Sequence, residues 1–200
     1  LALKPLFGQP LAEQIAVLAI PLLSLGVILA LVGRMAFRLF DREIAGLACL
    51  ACGLSPVLIW QVQPLRIDHH AWQIVTVLFA VSALMVRRPL LGGALAGLGM
   101  AIGLSISLEV LPIAAAIGAV LLLRWIRDPL QSQWLASYLA SLAGFLVVLF
   151  GLTRGISDLT QYCDAVSPAY LGLFLIVALG CSVIARKKKV PPGGVIVLLA

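Results

Sequence analysis

An all-α, polytopic transmembrane helical bundle is the fold this sequence predicts, and three observations predict it. Hydrophobic residues make up 62% of the 200 and charged residues 11%, with a mean hydropathy of +1.15. A soluble domain of this length needs more polar surface than that. The apolar residues come in runs long enough to cross a hydrocarbon core of roughly 30 Å as helices, without the strict alternation of a transmembrane barrel. Basic residues recur in every second connection between those runs, as the positive-inside rule requires.

In order, the runs read as about seven spans and the start of an eighth: 11–33, 44–62, 72–86, 90–106, 108–123, 134–152 and 168–185, then 191 onward. Arg34, Arg38 and Arg42 fall in the first connection, Arg87 and Arg88 in the third, Arg124 and Arg127 in the fifth, and Arg186 with Lys187, Lys188 and Lys189 in the seventh. Those connections are predicted to be cytoplasmic. Only Lys4, Arg66 and Arg154 fall on the opposite side. The formal charge of +6 is thereby explained as a topogenic, headgroup-facing excess, so the lipid bilayer is the partner it implies and no nucleic acid is needed. The chain begins at Leu1 and stops within the apolar run 195–200, so both ends read as cuts through a larger protein. Residues 1–200 are expected to be part of one transmembrane domain, with upstream spans and any C-terminal soluble domain outside them.

Several features within the spans read as packing. Gly93 with Gly97, and Gly99 with Gly103, have the small-xxx-small spacing that lets helices approach closely. Pro21 and Pro112 are expected to kink or begin helices, and Trp60, Trp72, Trp125 and Trp134 fall near span boundaries, as interfacial aromatics do. Cys49 and Cys52 have C-x-x-C spacing inside an apolar run with no second pair, which makes them small packing residues. Cys163 and Cys181 imply no disulfide framework. The sequence carries no Gly-rich phosphate loop, G-x-S-x-G, alignable repeat or cleavable signal peptide.

The chemistry concentrates elsewhere. The only two histidines stand side by side in Arg66-Ile67-Asp68-His69-His70, a polar cluster between long apolar runs. Carboxylate oxygen with imidazole nitrogen suits Mn²⁺, Zn²⁺ or Fe²⁺ and tolerates Mg²⁺. Polar groups at a membrane edge are costly and are usually retained for function. By the alternation of connections, Asp68, Glu109, Asp158 and Asp164 all emerge on the extracytoplasmic side, where they can form one site. Two readings stand for each acid: a site group, or a solvated loop residue, with Asp164 also placed to cap the helix that Pro168 begins.

At Arg66-Ile67-Asp68-His69-His70-Ala71-Trp72-Gln73, followed by a span, the chain resembles the GT-C class of polytopic glycosyltransferases, above all the catalytic subunits of oligosaccharyltransferases. Archaeal members carry a similar Asp-His-His with an acid three positions later; here Gln73 stands in its place. Ser107-Leu108-Glu109-Val110-Leu111-Pro112 and Cys163-Asp164-Ala165-Val166-Ser167 also resemble segments of bacterial membrane proteins related to this class. The soluble DHH phosphoesterases carry their motif in a cytosolic α/β domain, and the DHHC acyltransferases need a Cys where Ala71 stands.

The resemblance implies transfer of a sugar or oligosaccharide from a polyprenyl-phosphate or -pyrophosphate donor, on the extracytoplasmic face of a bacterial or archaeal plasma membrane. It implies a divalent metal, Mn or Mg, held by Asp68 and His70 with His69 beside them, Arg66 on the donor phosphate, and Glu109 and Asp164 completing the metal shell or orienting the acceptor. Two of the family's parts, a first metal-binding Asp in the first external loop and a soluble C-terminal domain, lie outside these residues. The competing expectation is an ion- or proton-coupled transporter using the Asp-His cluster, since intramembrane acids and histidines mark such pathways.

Overall fold

A computed structural model of the chain describes residues 8–66, 68–155, 159–162 and 165–186. Among them the regular elements are all helical: α1 (Gln9–Leu39), α2 (Arg42–Gly53), α3 (Pro56–Val62), α4 (His70–Ala83), α5 (Pro89–Ile106), α6 (Leu111–Arg127), α7 (Ser132–Thr153) and α8 (Pro168–Arg186). Short 3₁₀ turns at Leu108–Val110 and Pro129–Gln131 lead into α6 and α7. Five of the helical stretches are long and apolar enough to cross a membrane: Gln9–Leu39, Pro89–Ile106, Leu108–Arg127, Pro129–Thr153 and Pro168–Ala185. The protein is an all-α, integral membrane protein.

The structure departs from the expected spans in two places. Residues 44–62 do not form one straight helix: α2 and α3 meet at a bend of 65°. Pro56 is the cause, because its ring pushes the preceding residue out of the helical region, and Ser55 sits at φ −65°, ψ 117°. The expected span 72–86 is shorter than a bilayer needs, since α4 has 14 residues, roughly 21 Å of helix. The expected start of a span at 191 lies outside the described residues.

The chain divides into two compact units, with the boundary inside α4 between Leu78 and Phe79. In the first, α1 packs against α2 and α3. Its core is Ile28, Leu58, Val62, Ala71 and Val75, so the first turns of α4 are fixed by apolar contact with α1 and α3. Asp41 caps α2 by accepting from the Ile44 N–H at 2.8 Å. Cys49 lies against α1, where its thiol donates to the Leu29 carbonyl at 3.4 Å and fills the space above Gly33. The C-x-x-C spacing serves packing there.

In the second unit α5 lies along α7, and α7 in turn packs on α6 and α8. Gly93 and Gly97 make the close approach possible. A Cβ on Gly97 would run into the Tyr138 carbonyl and come within 2.8 Å of the Leu142 nitrogen, both backbone of α7. Hydroxyls bridge the helices where no water competes: Ser141 donates to the Ala94 carbonyl at 2.6 Å, and Tyr138 to the Ala114 carbonyl at 2.8 Å. Trp134 is not an interfacial aromatic: it is 6% exposed, with its ring over Gly92, so the boundary position that its sequence suggests is a packing site.

Candidate metal-binding site

The connection from α3 to α4 is set by a proline far away in sequence. Pro21 lies inside α1 and has no N–H to give the carbonyl four residues back, Val17. The Leu65 N–H donates to that carbonyl at 3.4 Å, tying the connection to α1. Leu65 adopts φ 71°, the left-handed region that a leucine enters only at a cost, and the Arg66 N–H closes the turn on the Gln63 carbonyl at 3.2 Å.

The turn delivers Arg66 to Asp68. The guanidinium donates through Nε at 3.3 Å and Nη2 at 3.1 Å to Asp68 Oδ2. Its third nitrogen, Nη1, donates to the Trp60 carbonyl at 3.4 Å, and its carbon lies 5.3 Å from the centroid of the Trp60 ring. Arg66 is thus held by α3 on one side and by the carboxylate on the other. His69 Nδ1 is 2.9 Å from Asp68 Oδ1, and His70 Nε2 is 3.9 Å from Oδ2. The two imidazoles are 4.2 Å apart between centroids and tilted by 43°. Adjacent residues on a short connection usually face apart; here both rings turn toward one carboxylate because His70 already belongs to α4 while His69 precedes it.

His70 Nδ1 faces Gln73 Oε1 at 2.9 Å, one helical turn along α4. An amide oxygen only accepts, so the contact makes Nδ1 the protonated nitrogen and leaves the lone pair of the neutral ring on Nε2, the atom nearer Asp68. Burial pulls the Asp68 carboxyl up, but the Arg66 guanidinium, the backbone N–H groups of His69 and His70 and the His70 ring outweigh it and hold the carboxyl below the usual carboxylate range.

One ligand atom each from Asp68, His69 and His70 can be chosen so that all lie within 4.8 Å of one another. Two metal bonds of about 2.1 Å leave their ligand atoms roughly 3–4 Å apart, so the 3.9 Å between His70 Nε2 and Asp68 Oδ2 fits a shared ion. The set of one oxygen and two nitrogens suits a borderline divalent cation with coordination positions left for solvent or substrate. Arg66 already occupies part of Oδ2, so a cation and a guanidinium would share that oxygen.

Glu109 lies in the second unit, on the 3₁₀ turn Leu108–Val110, where its N–H donates to Ser107 Oγ at 3.3 Å and its side chain is exposed. Asp158 and Asp164, with Cys163, lie outside the described residues. Two contacts of the site were not read from the sequence, that of Gln73 with His70 and that of Trp60 with Arg66. Gln73 was visible as the i+3 neighbour of His70, a spacing that places both on one helix face. Trp60 had no local signal, because its contact with Arg66 depends on the bend and turn between them.

No family model matches the chain, and no curated protein or solved structure matches it.

Proposed function

We propose that this protein is a membrane glycosyltransferase of GT-C type, moving a sugar or oligosaccharide from a polyprenyl-phosphate or -pyrophosphate donor on the extracytoplasmic face of a prokaryotic plasma membrane. The observation that carries the reading is the convergence of Asp68, His69 and His70 on ligand atoms within 4.8 Å, beside a fixed guanidinium, next to apolar helices. Asp68 and His70, with His69, would hold a divalent metal, Mn or Mg, which when bound supplies Lewis-acid neutralisation of charge on a departing phosphate.

The chain's own residues supply the rest. Arg66, anchored on Trp60, offers the leaving phosphate a fork of N–H donors alongside that centre. Gln73 keeps the His70 lone pair on Nε2. As the anomeric carbon–oxygen bond to phosphate breaks and the acceptor adds to that carbon, the acceptor's proton passes to water or to the departing phosphate.

The test is release of sugar from a radiolabelled polyprenyl-phosphate donor by the full-length protein in membranes. Asp68→Asn and His70→Ala should each abolish release with insertion intact, His69→Ala should be milder, and chelator should stop turnover until Mn²⁺ or Mg²⁺ is restored. Full activity in chelator, or in the Asp68→Asn protein, sinks the proposal.

A second reading is ion- or proton-coupled transport, which the 65° bend between α2 and α3 favours, because transporters build ion sites beside broken helices. Uptake of a labelled ion into proteoliposomes, lost in Asp68→Asn without any sugar release in the wild type, would select it.

A further inference from the structure

A cleft in the second unit is lined by Ser105 and Ser107 at the end of α5, Thr153 and Arg154 at the end of α7, and Ala165 and Val166 just before α8. Arg154 ends α7, its N–H donating to the Phe150 carbonyl at 2.9 Å. Its guanidinium carbon lies 4.5 Å from the centroid of the Tyr162 ring, so one face of the cation is covered. Its Nη1 is shut off from solvent and has no hydrogen-bond partner among the described residues. A buried, charged donor without an acceptor is costly to keep, and the cost is removed by whatever brings an acceptor oxygen within reach of Nη1.

The neighbouring hydroxyls narrow the chemistry. Thr153 spends its proton on the Leu149 carbonyl at 2.7 Å and Ser105 on the Ala101 carbonyl at 2.8 Å. Ser107 accepts from the Glu109 N–H at 3.3 Å, which leaves its own proton to give outward. The cleft is therefore lined by Arg154 and one hydroxyl free to donate, over an apolar wall that includes Phe150 and Val166. That combination suits an oxyanion carrying an apolar substituent. Its depth agrees: the apolar stretch Pro129–Thr153 ends one residue before Arg154, at the level where a helix leaves hydrocarbon for headgroups.

The geometry points to a phosphate-binding site at Arg154, formed within the second unit and independent of the Asp-His-His centre. The phosphate belongs either to a lipid headgroup or to a soluble phosphate. The carbonyl ends of α5 and α7 repel an anion, so binding depends on the forked N–H edge of Arg154 meeting two oxygens at once, with the side chain turning on Tyr162 to present Nη1. A point charge should not replace it.

The experiment takes the full chain, purified in detergent and stripped of lipid. Binding of phosphatidylglycerol, with diacylglycerol as the phosphate-free control, is read by native mass spectrometry, and binding of inorganic phosphate by titration calorimetry. Retention of phosphatidylglycerol over diacylglycerol, weakened about tenfold in both Arg154→Gln and Arg154→Lys and about threefold in Ser107→Ala, supports a lipid source. Binding of inorganic phosphate with the same dependence supports a soluble one. If an Arg154 variant does not fold, Ser107→Ala decides. A wild-type protein that holds neither probe, or folded variants that hold them as well as the wild type, overturns the site.

Discussion

The Leu65 N–H donates to the Val17 carbonyl, the one that Pro21 leaves without its helical donor. A proline in the interior of a helix ordinarily weakens it by about 3 kcal/mol, and here the freed acceptor is used to seat a turn at φ 71° one residue before Arg66. The strain at Leu65 and the gap in α1 compensate each other.

Pro21→Ala should therefore have opposite effects on helix and turn. The restored N–H competes for the Val17 carbonyl, so the turn of α1 that follows Val17 exchanges its amides more slowly. The Leu65 and Arg66 amides exchange faster, by about tenfold for the loss of one bond of roughly 1.4 kcal/mol. Hydrogen exchange by mass spectrometry on the full chain reads both. Unchanged protection at Leu65 would show that the contact does not hold the turn.

Acid should reveal the Arg66–Asp68 pair. With its folded pKa held below the unfolded value of about 3.9, Asp68 contributes stability that is complete above that value and is lost as the pH falls through the folded pKa. Its carboxyl should stay ionised through the range in which ordinary carboxylates protonate. In Arg66→Gln the guanidinium is gone and the midpoint rises toward or past the ordinary value, since burial then acts against fewer partners. Carboxyl ¹³C shifts of labelled Asp68 measure both; equal midpoints in the two proteins contradict the pairing.

Much of this molecule was legible from its letters. The helical class, the spans read at 11–33, 90–106, 108–123, 134–152 and 168–185, and the polar cluster at 66–70 follow from hydropathy and composition, which depend on residue type alone. The bend at Ser55-Pro56 was written in the proline, but an apolar run hides a break because hydropathy ignores the missing N–H and the extended ψ before it. Trp134 misled for a different reason. An aromatic near a span boundary is interfacial only if nothing covers it, and Gly92, 42 positions earlier, leaves room for its ring. The Asp68 to His70 grouping was visible as adjacency, yet its geometry required Val17, Trp60 and Gln73, contacts that adjacency does not encode.

The glycine spacing on α5 makes a stability prediction. At Gly97 a new methyl meets the α7 backbone at Tyr138 and Leu142, which cannot turn aside as a side chain can, so Gly97→Ala should destabilise the second unit by about 1–3 kcal/mol. Gly144, on α7 with nothing within 4 Å of a built Cβ, serves as the control, and Gly144→Ala should be neutral or stabilising by up to about 1 kcal/mol. Midpoints of unfolding in mixed detergent micelles compare them. Equal midpoints would remove the close approach as a source of stability.

The side of the membrane on which the Asp-His-His cluster lies turns on the bent pair. If α2 and α3 together cross the bilayer, the connection holding Leu65 to His69 emerges opposite Arg34, Arg38 and Arg42; if they dip in and return, it emerges on the same side. If the pair crosses and α4, whose 14 residues fall short of a full span, also carries the chain across, Arg87 and Arg88 share the cytoplasmic side with the first cluster. Leu65 lies on that connection and is not covered by the protein, so a cysteine there reports the side on which the connection emerges. In a background without the native cysteines, Leu65→Cys should react with a membrane-impermeant maleimide in intact cells, whereas Lys187→Cys should react only after permeabilisation. Protection of both positions in intact cells would make the pair a re-entrant loop, and would put the proposed metal centre on the cytoplasmic face, away from an external lipid-linked donor.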